Sequence, residues 1–166
     1  MKLFAIYVGG EHADAHIEVH DVRFAVAEHI RDTHDQLRAE WWGKPGTLHI
    51  DCWAEIACAD GYDIELRSDP SSGREKLYFV NLGGYDPRDF AEQHKNMFVV
   101  AATVIEAKAR AIETVADWKD AHRDDFYEAE RAFALDTKIG DRLYIHLTPS
   151  DRTEAPRFTC RYTPLK

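Results

Sequence analysis

The sequence lacks the short motifs by which the commonest hydrolases and zinc proteins are recognised. It contains no Gly-x-Ser-x-Gly, no His-Glu-x-x-His and no Cys-x-x-Cys. The first two motifs supply a serine nucleophile and a zinc-binding helix, and the third is the usual half of a zinc ribbon. Their absence makes a hydrolase the least favoured function class, and the sequence identifies neither a reaction nor a cofactor.

Basic residues are also in short supply. Lys and Arg number 21 against 30 Asp and Glu, giving a formal net charge of −9, and residues 1–73 hold 6 basic against 14 acidic side chains. Nucleic acids and anionic membranes are bound through excess Lys and Arg, which displace counterions or meet the lipid charge. We therefore expect no nucleic-acid or membrane partner, whereas cations or a basic protein suit the first half.

Cysteines and apolar runs are few. Cys52, Cys58 and Cys160 are odd in number and far apart, as expected of free thiols in a reducing cytosol. The apolar residues 3–8 form too short a run for a secretory signal, and no small-residue cleavage site follows them. No run approaches the length of a membrane span. We predict a cytoplasmic protein.

What the sequence does contain is an internal repeat. Residues 2–27 align without a gap with residues 76–101, and nine of the 26 pairs are identical, where unrelated sequences would share roughly one or two. A further pattern, His-x-Asp-x-aromatic-x-Glu, occurs at residues 49–55 and 122–128. The retained pairs most relevant to chemistry are Gly9-Gly10 with Gly83-Gly84, and Glu18-x-His20 with Glu92-x-His94.

Each copy is predicted to contain two strands, one helix and two further strands. Apolar periodicity indicates strands at residues 3–8, 23–27, 48–56 and 62–66 and a helix at 29–42. The second copy has strands at 77–82, 97–101, 122–128 and 143–147, with a Thr103-x-x-Glu106 capping box before its helix. That helix carries an apolar stripe of Val104, Ile105, Ala111, Ile112 and Val115.

Strict alternation within residues 48–56 predicts one core face and one polar face. The core face holds Leu48, Ile50, Cys52, Ala54 and Ile56. The polar face holds His49, Asp51, Trp53 and Glu55, and its copy holds His122, Asp124, Phe126 and Glu128. This second face is either a solvated surface, which we favour, or one wall of a cleft beside the Glu-x-His pairs.

The predicted fold class is α+β, with two pseudosymmetric halves in a two-layer sandwich. Each half is a small, mainly antiparallel sheet with helices on one face. The Ser-, Pro- and Gly-containing stretch 68–73 marks the boundary between repeat half 1, residues 1–70, and repeat half 2, residues 74–149. Residues 150–166 have no counterpart in the first copy, so we interpret them as an appended edge strand or an arm that packs on a neighbour.

These features together resemble a bacterial family catalogued as domain of unknown function 1543. The resemblance rests on a strand ended by Gly-Gly, then Glu-x-His-[Asp/Lys]-x-x-Phe, then a Val-Ala strand leading into a helix rich in Ala and Glu. Members carry one or two copies of the domain, and this chain is similar to a two-copy member over about residues 1–149. The family has no assigned activity, so the resemblance implies an organisation and no chemistry.

The Glu-x-His pairs are the sharpest candidates for a site. In an extended segment Glu18 and His20 project from one face, as do Glu92 and His94, and a carboxylate with an imidazole binds a divalent metal or acts as a general base. In a helix the two side chains would diverge by about 200°. A purely structural role, bonding the backbone of an irregular connection, is the other interpretation.

Two further patterns carry weaker signals. His12, His16 and His20 have the spacing of a helical metal clamp, but only His20 recurs in the second copy, as His94. The Gly-Gly pairs lack the residues that make a phosphate loop specific, so we interpret them as tight turns that need positive φ.

We consider three function classes. The first is a cytosolic protein that binds a small molecule or divalent cation; its metal ligands would be Glu18, His20, Glu92 and His94, joined in the ligand site by Asp51, Asp124 and Trp53. The second is a protein–protein interaction module, or a homo-oligomer, using Trp53, Trp41 or Trp42 against a basic partner. The third is a hydrolase that uses Glu and His as base and ligand.

Overall fold

The computed structural model describes residues 1–116, 118, 143–152 and 156–166. The strands are β1 (Lys2–Gly10), β2 (Val19–Ala27), β3 (His49–Glu55), β4 (Cys58–Ala59), β5 (Tyr62–Arg67), β6 (Lys76–Tyr85), β7 (Glu92–Ala101), β8 (Tyr144–Pro149) and β9 (Thr159–Pro164). The helices are a 3-10 turn (Ile30–Thr33), α1 (His34–Glu40) and α2 (Val104–Glu113). Mostly antiparallel sheet with two short helices confirms the α+β class. Among the described residues, no helix is long and apolar enough to cross a membrane.

The chain divides into two compact units whose limits differ from the predicted halves. One unit comprises Met1–Cys58 with Glu154–Lys166, and the other comprises Ala59–Thr153. The strand expected at 62–66 forms as β5, but it belongs to the second unit, which begins at Ala59 and not near the expected boundary at residues 68–73. The reason is strand pairing, because β5 hydrogen-bonds to β8 in a sheet of order β4-β5-β8.

The first unit is an antiparallel sheet of order β2-β1-β3-β9, covered on one face by the 3-10 turn and α1. Phe4, Ile6 and Val8 alternate along β1 and bury their side chains against Leu37 of α1. Each such burial contributes about 1.5–3 kcal/mol relative to an exposed side chain. The predicted stripe of Ile30, Thr33, Leu37 and Trp41 is found here, since Thr33 is buried and the other three pack into this core.

A bulge in β3 breaks the predicted alternation. Val8 pairs with Ile50 and Tyr7 with Cys52, so Asp51 is an extra residue opposite β1. Paired residues of antiparallel strands share a face, and a bulge therefore reverses the alternation beyond it. Cys52 consequently leaves the core face, whereas the ring of Trp53 packs edge-on against Phe4 with centroids 5.8 Å apart. The expectation that Trp53 would sit on the polar face is wrong.

The C-terminal segment supplies an edge strand. β9 pairs with β3, and Cys52 lies directly opposite Cys160, to which it is joined by a disulfide. The expectation of three thiols is therefore wrong for this pair, and Cys58 is the cysteine outside the disulfide. Two cysteines 108 residues apart give no sequence signal of pairing; strand register brings them together. The thiol argument for a reducing compartment no longer applies to Cys52 and Cys160.

Replacing Cys160 with Ser is expected to destabilise the protein by about 2–4 kcal/mol, because the disulfide closes a long loop in the unfolded chain. Denaturant unfolding measures the loss, with Cys58→Ser as the matched control. Thiol titration of the denatured, unreduced wild-type protein should give one reactive group. Titration of three groups would contradict the disulfide.

The described part of the second unit contains the hairpin β6-β7 and α2, which packs on it. Thr103 caps α2 by accepting a hydrogen bond from the Glu106 amide at 3.2 Å, as the capping box predicts. Val104, Ala111, Ile112 and Val115 pack into this unit's core. Ile105, placed in the same stripe by the sequence, is instead exposed.

Candidate functional site

Three neighbouring strands of the first unit bring the candidate residues together around Gly9. Gly9 on β1 lies opposite His20 on β2 and opposite His49 on β3. Glu18 comes two residues before His20, and Asp51 two residues after His49. Because the segment from Glu18 to His20 runs extended into β2, its two side chains share a face. The extended alternative for Glu-x-His is therefore the observed one.

Two carboxylates and two imidazoles meet in this cluster. His20 Nε2 lies 3.5 Å from Glu18 Oε2 and 3.5 Å from Asp51 Oδ2. His49 Nε2 lies 3.1 Å from Glu18 Oε1 and 3.4 Å from Asp51 Oδ1. One ligand atom each from Glu18, His20 and His49 falls within 4.8 Å of the others. We call Glu18, His20, His49 and Asp51 the four-residue cluster.

Within the four-residue cluster, Glu18, His20 and His49 lie close enough together to act as ligands of one ion. Nitrogen and oxygen ligands about 2.0–2.2 Å from a tetrahedral Zn²⁺ lie about 3.3–3.6 Å from each other. The four nitrogen–oxygen distances run from 3.1 to 3.5 Å. Each carboxylate places one oxygen near His20 and the other near His49, so these distances describe four separate atom pairs. With one atom from each residue, Glu18, His20 and His49 are close enough to share a metal ion.

His49 is the most constrained member of the cluster. Its side chain is only 2% exposed, and Nδ1 lies 3.1 Å from the Thr47 carbonyl oxygen. A carbonyl oxygen only accepts, so Nδ1 carries the donated hydrogen, and in the neutral ring Nε2 holds a lone pair. That nitrogen faces two carboxylates and is a buried polar atom without a hydrogen-bond partner.

An unpartnered buried polar group costs about 1–3 kcal/mol, and Asp51 Oδ2 is a second such atom in the cluster. A cation among these atoms would satisfy both of them. The contact of Nδ1 with a backbone carbonyl is also the arrangement that orients metal-ligating histidines in many proteins.

The lack of a side chain at Gly9 allows the cluster residues to approach one another closely. A Cβ at this position would lie 2.7 Å from His49 Nε2, 2.8 Å from His20 Cδ2 and 3.0 Å from Asp51 Oδ2. Gly10 is similarly required, because a Cβ there would lie 2.6 Å from the ring of Trp41. Both glycines are within β1, and Gly83 and Gly84 are within β6. The expectation of tight turns with positive φ is wrong for these pairs; close approach of side chains is the reason for glycine.

Two tyrosines border the cluster. The ring of Tyr7 stacks on His20 with centroids 5.4 Å apart, and Tyr162 of β9 packs on His49 at 4.5 Å. Burial, followed by the negative charges of Asp51 and Asp21, raises the pKa of Tyr7. The phenol therefore stays protonated at neutral pH and acts as a polar neighbour, not as an anionic ligand.

The second copy holds part of the same arrangement. Gly83 pairs with His94 across β6 and β7, and His94 Nε2 lies 3.5 Å from Glu92 Oε2. His94 Nδ1 lies 3.2 Å from Asn81 Oδ1. The predicted Asp124 lies outside the described residues, as does His122. The Glu92 and His94 metal ligands accordingly stay a prediction.

The remaining predicted residues lie elsewhere. The ring of His12 packs on Trp42, and its Nδ1 accepts a hydrogen bond from the Asp14 amide. His12 and His16 do not belong to the cluster found in the described part of the chain, so the three-histidine clamp does not form there. Trp53 contributes to the core instead of the cluster.

His49 is the cluster member that the predicted metal set omitted. Its recurrence as His122 in the second copy was the available signal. That signal placed it on a polar strand face without indicating that the ring of Tyr162 from β9 would pack on it.

The chemistry of the cluster follows from its donors. Two imidazole nitrogens with carboxylate oxygens suit Zn²⁺ and other divalent first-row metals, whereas Mg²⁺ and Ca²⁺ prefer oxygen alone. If Asp51 stays outside the coordination sphere, Glu18, His20 and His49 leave a fourth position for water. If Asp51 binds, the site is closed and structural.

Comparison with known proteins agrees with the sequence resemblance. Residues 15–66 match the model of the family described as Domain of Unknown Function (DUF1543). The chain is also similar to a protein Il1583 from Idiomarina loihiensis, known from a crystal structure, at 28% identity over 99% of this chain and 98% of that one, with a TM-score of 0.74. No curated protein matches. The family match supports the resemblance and contains the whole four-residue cluster.

Proposed function

We propose that the protein binds a divalent transition-metal ion, of the zinc class, through Glu18, His20, His49 and Asp51. The observation that carries the proposal is the buried Nε2 of His49, which points at two carboxylates with no hydrogen-bond partner. A lone pair facing anions is unfavourable unless a cation lies between them. A proton on the imidazole would also serve, but the mutual spacing of the Glu18, His20 and His49 donors favours a metal.

We further infer that the chain is a tandem repeat with two pseudosymmetric copies. The supporting observations are the matched positions of Gly9 with His20 and of Gly83 with His94, in hairpins of the same register. The last strands of the two copies, β5 and β8, also pair antiparallel with each other. A second ion at Glu92 and His94 would need further ligands, for which His122 and Asp124 are the repeat equivalents.

Metal-free protein is expected to gain stability from Zn²⁺, and less or none from Mg²⁺ or Ca²⁺. At a free Zn²⁺ concentration 100 times Kd the gain is about 2.7 kcal/mol, or roughly 5–10 °C in Tm. Differential scanning fluorimetry measures the shift, and elemental analysis after desalting counts the bound ions.

The matched variants are Glu18→Gln with His20→Gln and, as the control, His12→Gln with His16→Gln. The first pair should lose the shift, and the second should keep it. An absence of any shift with Zn²⁺, Mn²⁺, Co²⁺, Ni²⁺ and Fe²⁺ would refute the proposal. So would an equal shift in both double variants.

The interaction-module alternative keeps one supporting feature. Trp42 remains about half exposed, beside Trp41 and His12. Trp53 no longer supports that alternative, because its ring packs on the core. Co-purification of a stoichiometric partner that Trp42→Ala abolishes would favour the interaction module over a metal site as the main function.

A further inference from the structure

A cavity of about 480 Å³ lies in the first unit, on the sheet face that carries the helices. Its apolar wall includes Ile50 and Trp53, which belong to the core side of β3. His34 from α1 also lines it, together with Arg31 from the 3-10 turn and Arg161 from β9. The volume is within the range of pockets that hold small organic ligands, roughly 300–1,000 Å³.

The apolar wall of the cavity is on the sheet face opposite the four-residue cluster, and Tyr162 at the cavity's edge also packs on His49. His49 and Ile50 are consecutive strand residues, so their side chains point to opposite faces. His49 belongs to the cluster, and Ile50 lines the cavity. A ligand in the cavity would therefore not need the metal site.

The charges of the cavity are unusual for so acidic a chain. The net charge is −9, yet no acidic residue is among the described residues that line the cavity. The side chains of Arg31 and Arg161 form no ion pair within the described ranges 1–116, 118, 143–152 and 156–166. By contrast, Arg38 of the same helical segment pairs with Asp35 at 2.6 Å. Among the described residues, no carboxylate therefore competes with an anion for these two guanidinium groups.

The pKa of His34 is affected by the positive charges near the cavity. Burial, followed by the positive charges of Arg38 and Arg31, lowers its pKa, and this effect exceeds the opposite one of Asp35 and Asp32. The imidazole is therefore neutral at physiological pH and offers a hydrogen-bonding group without adding charge. A neutral ring beside an apolar wall suits the body of a ligand, while the arginines suit its charged end.

We propose that this cavity binds a small organic carboxylate with an apolar, preferably aromatic, body. The carboxylate meets Arg31 and Arg161, since guanidinium groups match carboxylates in charge and geometry. The apolar body lies along Ile50 and the ring of Trp53, which offers a face for stacking. Nothing in the proposal depends on the metal site.

The test uses the full chain in phosphate-free buffer, titrated calorimetrically with indole-3-acetate and benzoate. The matched neutral probes are indole-3-acetamide and benzamide. Each carboxylate should bind at least tenfold more tightly than its amide. Because hydrogen bonds to charged groups contribute strongly, Arg31→Gln and Arg161→Gln should each weaken carboxylate binding about tenfold or more.

Arg67→Gln is the control, since Arg67 is in the second unit and pairs with Glu65. It should leave carboxylate binding unchanged. The proposal is overturned if neither carboxylate binds, if the amides bind equally well, or if the Arg31→Gln, Arg161→Gln double variant retains wild-type affinity while remaining folded by circular dichroism.

Discussion

Replacing His49 with Gln is expected to abolish tight Zn²⁺ binding in the first unit, lowering the affinity on the order of 100-fold or more. His49 supplies a buried nitrogen already held in the ligating orientation by the Thr47 carbonyl. Changes to groups that merely support a metal ligand cost 10–100-fold, so loss of the ligand itself should cost at least the upper end of that range. Competition with a chromogenic zinc chelator measures the change.

The zinc affinity of the Asp51→Asn variant distinguishes a closed four-ligand site from a site with an open position. A large loss of affinity in that variant indicates a closed four-residue site, and a small loss indicates an open position on the metal. Retention of wild-type zinc affinity by folded His49→Gln protein would contradict the assignment of His49 as a ligand.

Gly9→Ala is expected to damage the same site by steric means. The added Cβ would be 2.7 Å from His49 Nε2, and that side chain is buried and has little room to move. Overpacking of this kind typically costs about 1–3 kcal/mol. We expect a loss of stability in denaturant unfolding and a loss of zinc binding, because the His20 and His49 nitrogens must be displaced from each other.

Gly73→Ala provides the matched control. A Cβ at Gly73 would meet only Ser71 Oγ at 3.4 Å, an ordinary contact, so stability and zinc binding should be unchanged. If Gly9→Ala behaves like Gly73→Ala in both measurements, the close approach of the cluster to β1 is not a requirement of the site.

The internal similarity between residues 2–27 and 76–101 made part of the site predictable. It separated the retained Glu18 and His20 from the non-retained His12 and His16, and of these three histidines the structure places only His20 in the cluster. Whether Glu-x-His was extended or helical could not be decided from spacing. Pairing of β2 with β1 decides it, and pairing is a long-range property.

The bulge at Asp51 was beyond local pattern analysis. Residues 48–56 alternate without interruption, so the sequence gives no local sign that the faces reverse after Ile50. The extra residue arises from the register of β3 against β1 and β9, which are far away in sequence. Trp53 was assigned to the wrong face for this reason, and the burial of His49 by Tyr162 was missed for a related one.

The strand that pairs with β5 was likewise determined by tertiary structure. Its sequence predicted a strand, and a strand is present, but the expected neighbours were those of the first copy. Pairing with β8 transfers it to the second unit. The capping box at Thr103 is the opposite case, because its interactions span three residues and the sequence alone predicts them correctly.

The most direct test of the metal proposal is the X-ray absorption spectrum of the protein after zinc loading and desalting. We predict nitrogen and oxygen ligands at about 2.0–2.2 Å with the scattering signature of two imidazoles, reduced in His49→Gln. A spectrum dominated by sulfur at about 2.3 Å, or a protein that retains no zinc, would contradict the account.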